Sequence, residues 1–294
     1  MNTKKEDRLY SWLLLLAMLL WGGGWTALKI LTKEMPMDII IFWRFFLMSL
    51  SFLPLLYFFK EPIKLTKKSL SFIASSSVLN IAFMVSSFFG IKYGLAGAGS
   101  VIITSLSPLM TVILMILLFK NHINKFQTIG LFLGLVGGYI ILELNDLSLF
   151  LNGSNIYFLL CAIIWAGVTI LSQKSTPHIH PVHYSFFISV VATVASFFYA
   201  YDADLMSVFK QGWEFWVSLL YLAVFGQTIA TTIFFMASGK LGSQRTSSFM
   251  FLVPIFALFS AWLILDEKMQ IHIIVGGAIS MFAVYFINSS KNRN

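Results

Sequence analysis

The chain has 294 residues, of which 58% are hydrophobic and 11% charged, with 30 Phe, 8 Trp and a net charge of +8. A soluble domain carries roughly 25% charged residues. It could not hide this much apolar surface, so the composition excludes an ordinary soluble fold and points to an integral membrane protein.

Ten apolar runs follow along the chain, at about 11–31, 38–59, 69–91, 98–119, 125–143, 154–172, 182–200, 215–237, 246–265 and 270–288. Each is close to the roughly 20 residues a helix needs to cross a hydrocarbon core of about 30 Å. The runs are continuous, whereas barrel strands are shorter and alternate. The expected fold is all-α and integral to the membrane, with ten transmembrane helices and no separate soluble domain. The first run, after MNTKKEDR, is too long for a signal-peptide core and lacks a small-x-small cleavage site.

In the first span, Gly22, Gly23 and Gly24 sit between Trp21 and Trp25. Glycine inside a helix costs about 1 kcal/mol relative to alanine. In a membrane, small residues let a second helix approach closely, and three together ease bending. Trp21 and Trp25 are four residues apart and share a helix face. They suit the aromatic wall of a cavity; a packing notch flanked by two lipid-facing indoles is the plainer reading. In the second span Arg44 lies about six residues in, roughly 9 Å by helical rise. An ionisable residue at depth marks a functional site by default. It could attract a carboxylate, snorkel to the outer interface, or cap the carbonyls of a broken helix.

Asn80 is central in the third span and Gln227 in the eighth. Both offer donors and acceptors, and each either lines a cavity or bonds a neighbouring helix. Thr104 and Ser107 precede Pro108 in the fourth span, where their hydroxyls face a cavity or bond the preceding turn. Cys161, the one cysteine, excludes an internal disulfide and suits a small apolar packing role. Trp165 falls near mid-depth in the sixth span, although tryptophan prefers the interfaces, which makes it a cavity candidate. The connection STPHIHPVHY holds His178, His180 and His183. A metal site is one reading. A polar loop is the better-supported one, because no carboxylate or cysteine accompanies the histidines. No metal or other cofactor is expected.

Threading ten spans from a cytoplasmic N-terminus places 14 of the 20 Lys and Arg inside and five outside, with Arg44 in the second span. The positive-inside rule therefore favours both termini in the cytoplasm. The same distribution accounts for the basic balance without a nucleic-acid partner. The middle third of every span lacks an acid, and Glu143 and Glu267 sit at outer span ends. Proton-driven pumps often use buried carboxylates or histidines, so the reading favours a facilitator or exchanger.

The halves repeat at an offset near 146. GLAGAGSVIITSLSPLMTVILMILLFKN aligns with KLGSQRTSSFMFLVPIFALFSAWLILDE, matching Pro108 with Pro254 and implying matched kinks. Gly130 matches Gly276, Trp21 matches Trp165, and Asn80 matches Gln227. Residues 1–147 and 148–294 thus form two five-helix units within one transmembrane domain. An odd number of spans puts successive units in opposite orientations, which is the inverted-repeat plan of many secondary transporters.

Ten spans in two halves, LLWGGGWTALKI in the first span, FWRFFLMSLSFLPLLY in the second and the two proline-centred segments resemble the EamA-type branch of the drug/metabolite transporter superfamily. The resemblance covers nearly the whole chain. It implies movement of small molecules, commonly amino acids or other metabolites outward, with some members expelling toxic compounds; a bacterial inner membrane is the default location, and a monomer or homodimer is expected. It places an Arg at the position of Arg44 across members with diverse substrates, implying a gating or structural role. The chain departs from the pattern after the fourth span. There Lys120 and Asn121 replace the usual acidic ending, and Glu267 keeps the acid in the second half only.

The expected substrate site joins Trp21, Trp25, Asn80, Thr104, Ser107, Trp165 and Gln227. Gly22, Gly23, Gly24, Arg44, Pro108 and Pro254 are its gating or structural supports. The expected activity is secondary transport by alternating access around a midplane cavity, not enzymatic catalysis. The alternatives are a multidrug or toxic-compound exporter on the same fold and a membrane protein that transports nothing.

Overall fold

A computed structural model of the chain describes residues 3–58, 62–63, 65–93, 96–141, 153, 155–266 and 271–289. Glu143, Glu267 and the expected boundary at 147/148 lie outside these residues, as do the loop charges Lys60, Lys64, Lys268, Lys291 and Arg293.

The described residues are helical, with no strand among them. The first half contributes α1 (Thr3–Glu34), α2 (Met37–Phe58), α3 (Lys67–Tyr93), α4 (Ala96–Phe119) and α5 (Lys125–Ile141). The second contributes α6 (Asn155–Ser175), α7 (Pro181–Tyr199), α8 (Trp213–Leu220), α9 (Ala230–Leu241), α10 (Ser243–Ser248), α11 (Val253–Leu265) and α12 (Ile271–Ser289). A π-helical segment, Tyr221–Ile229, joins α8 to α9 into one span of 29 residues. A 3-10 turn, Phe249–Leu252, joins α10 to α11 into one of 23.

Among the described residues, eight helices are long and apolar enough to cross a membrane. The remaining two apolar helices, Lys125–Ile141 and Ile274–Asn288, are shorter and stand where the fifth and tenth spans are expected. The 17 residues of α5 rise about 26 Å, a little less than a hydrocarbon core.

Local chemistry sets several ends. Glu6 sits in the first turn of α1, where a carboxylate complements the helix dipole. His180 caps α7, with its side chain accepting from the Val182 N–H and Pro181 in the first turn. His178 stacks on Phe72, and His183 is buried in α7. These histidines shape the α6–α7 connection. Pro108 and Pro254 do not produce matching geometry. Pro108 lies within the continuous α4, whereas Pro254 opens α11 directly after the 3-10 turn. A proline in the first turn of a helix gives up no hydrogen bond of that helix.

Helices meet in pairs across the two halves. α5 packs on α12, with Gly130 against Ile287 and Gly137 against Gly276, so the two run antiparallel. A Cβ on Gly276 would stand 2.7 Å from the Gly137 carbonyl oxygen, so backbone meets backbone there. α2 packs antiparallel on α7: Phe42 meets Phe197, Ser49 bonds Ser189 and Thr193, and Phe52 meets Phe186. α6 lies against α3 and α4, and α1 lies correspondingly against α9 and α11. Small and hydroxyl side chains carry these contacts, as expected where lipid removes the hydrophobic drive between helices.

One end of the bundle is packed shut. Leu14, Met18, Tyr184, Phe235, Leu241 and Ile287 belong to the largest buried cluster, and Ser76 hydrogen-bonds Tyr184 inside it. Arg245 ties α10 to α1 through Asp7 at 3.1 Å and to α12 through Asn288 at 3.1 Å. This end holds the start of α1, the α6–α7 connection and the end of α12.

Candidate substrate cavity

The three glycines of α1 are a contact surface. A Cβ on Gly22 would meet the Phe256 Cβ at 2.5 Å and the Ala257 nitrogen at 2.7 Å, so α11 lies directly on that turn. A Cβ on Gly23 would collide with the Tyr221 hydroxyl, which donates to the Leu20 carbonyl. Gly24 is looser, with Leu222 Cδ1 at 3.3 Å from the position of a Cβ.

That close approach brings α1 against the π-helical segment. The Trp21 Nε1–H donates to the Gly226 carbonyl at 2.9 Å. Trp21 also meets Trp165 edge to face at 5.6 Å and Phe234 at 4.9 Å. Phe83 joins from α3, 5.4 Å from Trp165. The four rings form an aromatic floor at mid-bundle.

Above the floor is a cavity of about 170 Å³. It is similar in volume to an apolar cavity of roughly 150 Å³ that accepts benzene. Its walls come from both halves and include Trp21, Gly24, Trp25, Arg44, Thr104, Trp165, Gln227 and Thr231. From the floor it runs along Leu28 of α1, Met37 and Ile40 of α2 and Ile91 of α3, towards the α1–α2 connection. Its axis therefore leads away from the closed end.

Five of the seven expected substrate residues meet here: Trp21, Trp25, Thr104, Trp165 and Gln227. Asn80 and Ser107 are not among the lining residues. Asn80 precedes Phe83 by three residues and donates to the Ser76 carbonyl at 2.8 Å, one turn below the floor. Ser107 lies one turn past Thr104, fully buried, and donates to the Ile103 carbonyl at 2.6 Å. Thr104 lines the cavity, yet its hydroxyl donates to Ser100 at 2.8 Å. Central position in a span does not distinguish residues one helical turn apart.

Arg44 stands in the cavity wall with its Nε buried and without a hydrogen-bond partner. Its guanidinium carbon lies 4.7 Å from the centre of the Phe45 ring. Among the described residues no carboxylate pairs with it. Trp165 Nε1 and Thr231 Oγ1 are likewise buried and unpartnered. Sequence reasoning missed Phe83, Ser87 and Thr231. Phe83 is one of 30 phenylalanines, but Thr231 had a usable signal: it follows Gln227 by four residues, on the same face.

The model of the EamA-like transporter family matches this chain twice, over residues 8–143 and 153–289. The chain belongs to the EamA-like transporter family. The two EamA-like segments hold α1–α5 and α6–α12, so the cavity lies between them. Relatives are named as transporters. The chain is 22% identical to the uncharacterized transporter YoaV of Bacillus subtilis over 281 residues, or 94% of this chain and 95% of YoaV. It is 24% identical to a probable amino-acid metabolite efflux pump of Salmonella typhimurium, over 95% of this chain and 94% of the pump. One crystal structure shares the fold at a TM-score of 0.78 and 14% identity, over 97% of this chain and 98% of the other.

Proposed function

We propose that this EamA-like protein is a secondary transporter that exports or equilibrates small metabolites, amino acids among them, across a bacterial inner membrane. It works by alternating access, with both termini in the cytoplasm, as a monomer or homodimer. The observation that carries this reading is the cavity itself. It lies between the two family segments, repeat mates Trp21 and Trp165 meet in its floor, and one end of the bundle beyond it is packed shut.

The helix pairing supports an inverted repeat. Exchanging the halves turns the α3–α6 and α4–α6 contacts into the α1–α9 and α1–α11 contacts, and α2–α7 and α5–α12 into themselves. Mates that pack antiparallel require an axis across the helices, which is the symmetry of inverted-topology transporters. Rocking one half against the other would close the present path and open the opposite end. The efflux-pump relatives favour amino acids as cargo. A toxic-cation exporter would gain from a carboxylate in the cavity, and none of the described lining residues is acidic.

Counterflow in proteoliposomes tests the reading. Vesicles preloaded with unlabelled amino acids and offered labelled ones, without an ion gradient, should show rapid saturable accumulation. Absence of counterflow for every amino acid and metabolite offered would overturn it.

A further inference from the structure

We infer that the cavity recognises its cargo by a carboxylate beside a small apolar body, and its described lining offers no carboxylate to a cationic group. The inference rests on the transporter reading and names the substrate class.

Three donors in one cavity lack acceptors: Arg44 Nε, Trp165 Nε1 and Thr231 Oγ1. Leaving a buried donor unsatisfied costs about 1–3 kcal/mol, and more when it is charged. Beside the Phe45 ring under its guanidinium, the described residues give Arg44 no carboxylate and its Nε no acceptor. Among the described residues no lining side chain is Asp or Glu, and the Gly226 carbonyl already accepts from Trp21. Asp38, at the start of α2, accepts from the Ile39 N–H. The missing partner is therefore an acceptor-rich anion brought in by the ligand.

The geometry narrows its class. A guanidinium fork matches a planar carboxylate, and a charged bond of this kind is about twice as strong as a neutral one. One cation suits a monoanion better than a doubly charged phosphate. The rest of the wall is aromatic and aliphatic, and the volume of about 170 Å³ takes one ring or a short branched chain. Among the described lining residues an α-ammonium group finds no carboxylate, only neutral groups such as Gln227 and Ser87 and the faces of the aromatic rings. The cavity tolerates that group and does not select for it.

The test uses the purified full chain in detergent. Trp21, Trp25 and Trp165 all line the cavity, so intrinsic tryptophan fluorescence reports binding. The probes are 3-phenylpropanoate, L-phenylalanine and L-phenylalaninamide. Both carboxylates should bind saturably, with 3-phenylpropanoate at least as tight as phenylalanine. The amide should bind about tenfold or more weaker, the worth of a charge-assisted bond. Arg44→Gln should weaken the carboxylates by about tenfold without weakening the cationic amide, while Arg44→Lys retains part of the preference. Equal affinity for amide and carboxylates, or no binding of any probe, overturns the inference. If Arg44→Gln fails to fold, the wild-type series decides alone. Counterflow separates the two readings. Transport that ignores the carboxyl group sinks this inference and leaves a transporter; absence of all transport sinks the transporter.

Discussion

At the scale of single residues, the α1 glycines and the tryptophans make separable predictions. Gly22 holds α1 and α11 in backbone contact, so Gly22→Val overpacks a site that cannot yield. Overpacking of this kind costs about 1–3 kcal/mol, and the midpoint of thermal unfolding in detergent should fall measurably. Gly24 meets only the tip of Leu222 and borders the cavity. Gly24→Ala should leave that midpoint nearly unchanged; an equal fall in both would show that no special contact exists at Gly22. Trp165→Ala removes a floor ring that touches Trp21, Phe83 and Phe234. Counterflow should drop by about fivefold or more, while the protein still extracts as a monodisperse species. Normal counterflow in that variant would remove Trp165 from the site.

At the scale of elements, the eighth span differs from its expected form. The apolar run at about 215–237 reads as one regular helix, and nine of its residues are π-helical instead. The wider register brings Gly226 under the Trp21 indole and Gln227 to the cavity. The Thr228 hydroxyl bonds Ala223, five residues back, and Ser51 of α2 also bonds Thr228. π segments are uncommon and gather at functional sites. Deleting Val224 should return the segment to α geometry, keeping the flanking faces roughly in register while withdrawing the Gly226 carbonyl and Gln227 from their present positions. The expected result is folded protein without counterflow. Retained transport would show that the π register is incidental. No local pattern announced this segment. The register depends on a carbonyl accepting from an indole 205 positions away in the chain.

At the scale of the whole molecule, the ends of the bundle differ. One leads into the cavity; the other is closed by packed side chains and by the Arg245–Asp7–Asn288 cluster, whose ion pair is part-exposed. A part-exposed pair contributes only about 0.2–1 kcal/mol, which suits a latch that must open. In a Cys161→Ser background, Ser76→Cys should report opening at this end. Adding Arg245→Gln should speed its labelling by an aqueous maleimide about two- to fivefold. Unchanged labelling would mean that the apolar packing alone holds this end shut.

Membrane class, the apolar runs, the repeat and the paired tryptophans were legible in the sequence. Run length and composition are local quantities, and mean hydropathy of +0.84 already excludes water as the solvent. The tertiary structure decided which face of each helix turns inward. Lipid is as apolar as leucine, so a membrane helix need not mark its buried side. Leu117 and Phe132 face outward, while Phe52 and Phe158 are fully buried, without a change of residue type to tell them apart. Asn80 and Thr104 therefore looked alike along the chain, although only Thr104 reaches the cavity. Arg44 was conspicuous as a charge at depth. Only the assembled helices show its donor in a cavity wall where no described residue is an acid that could meet it.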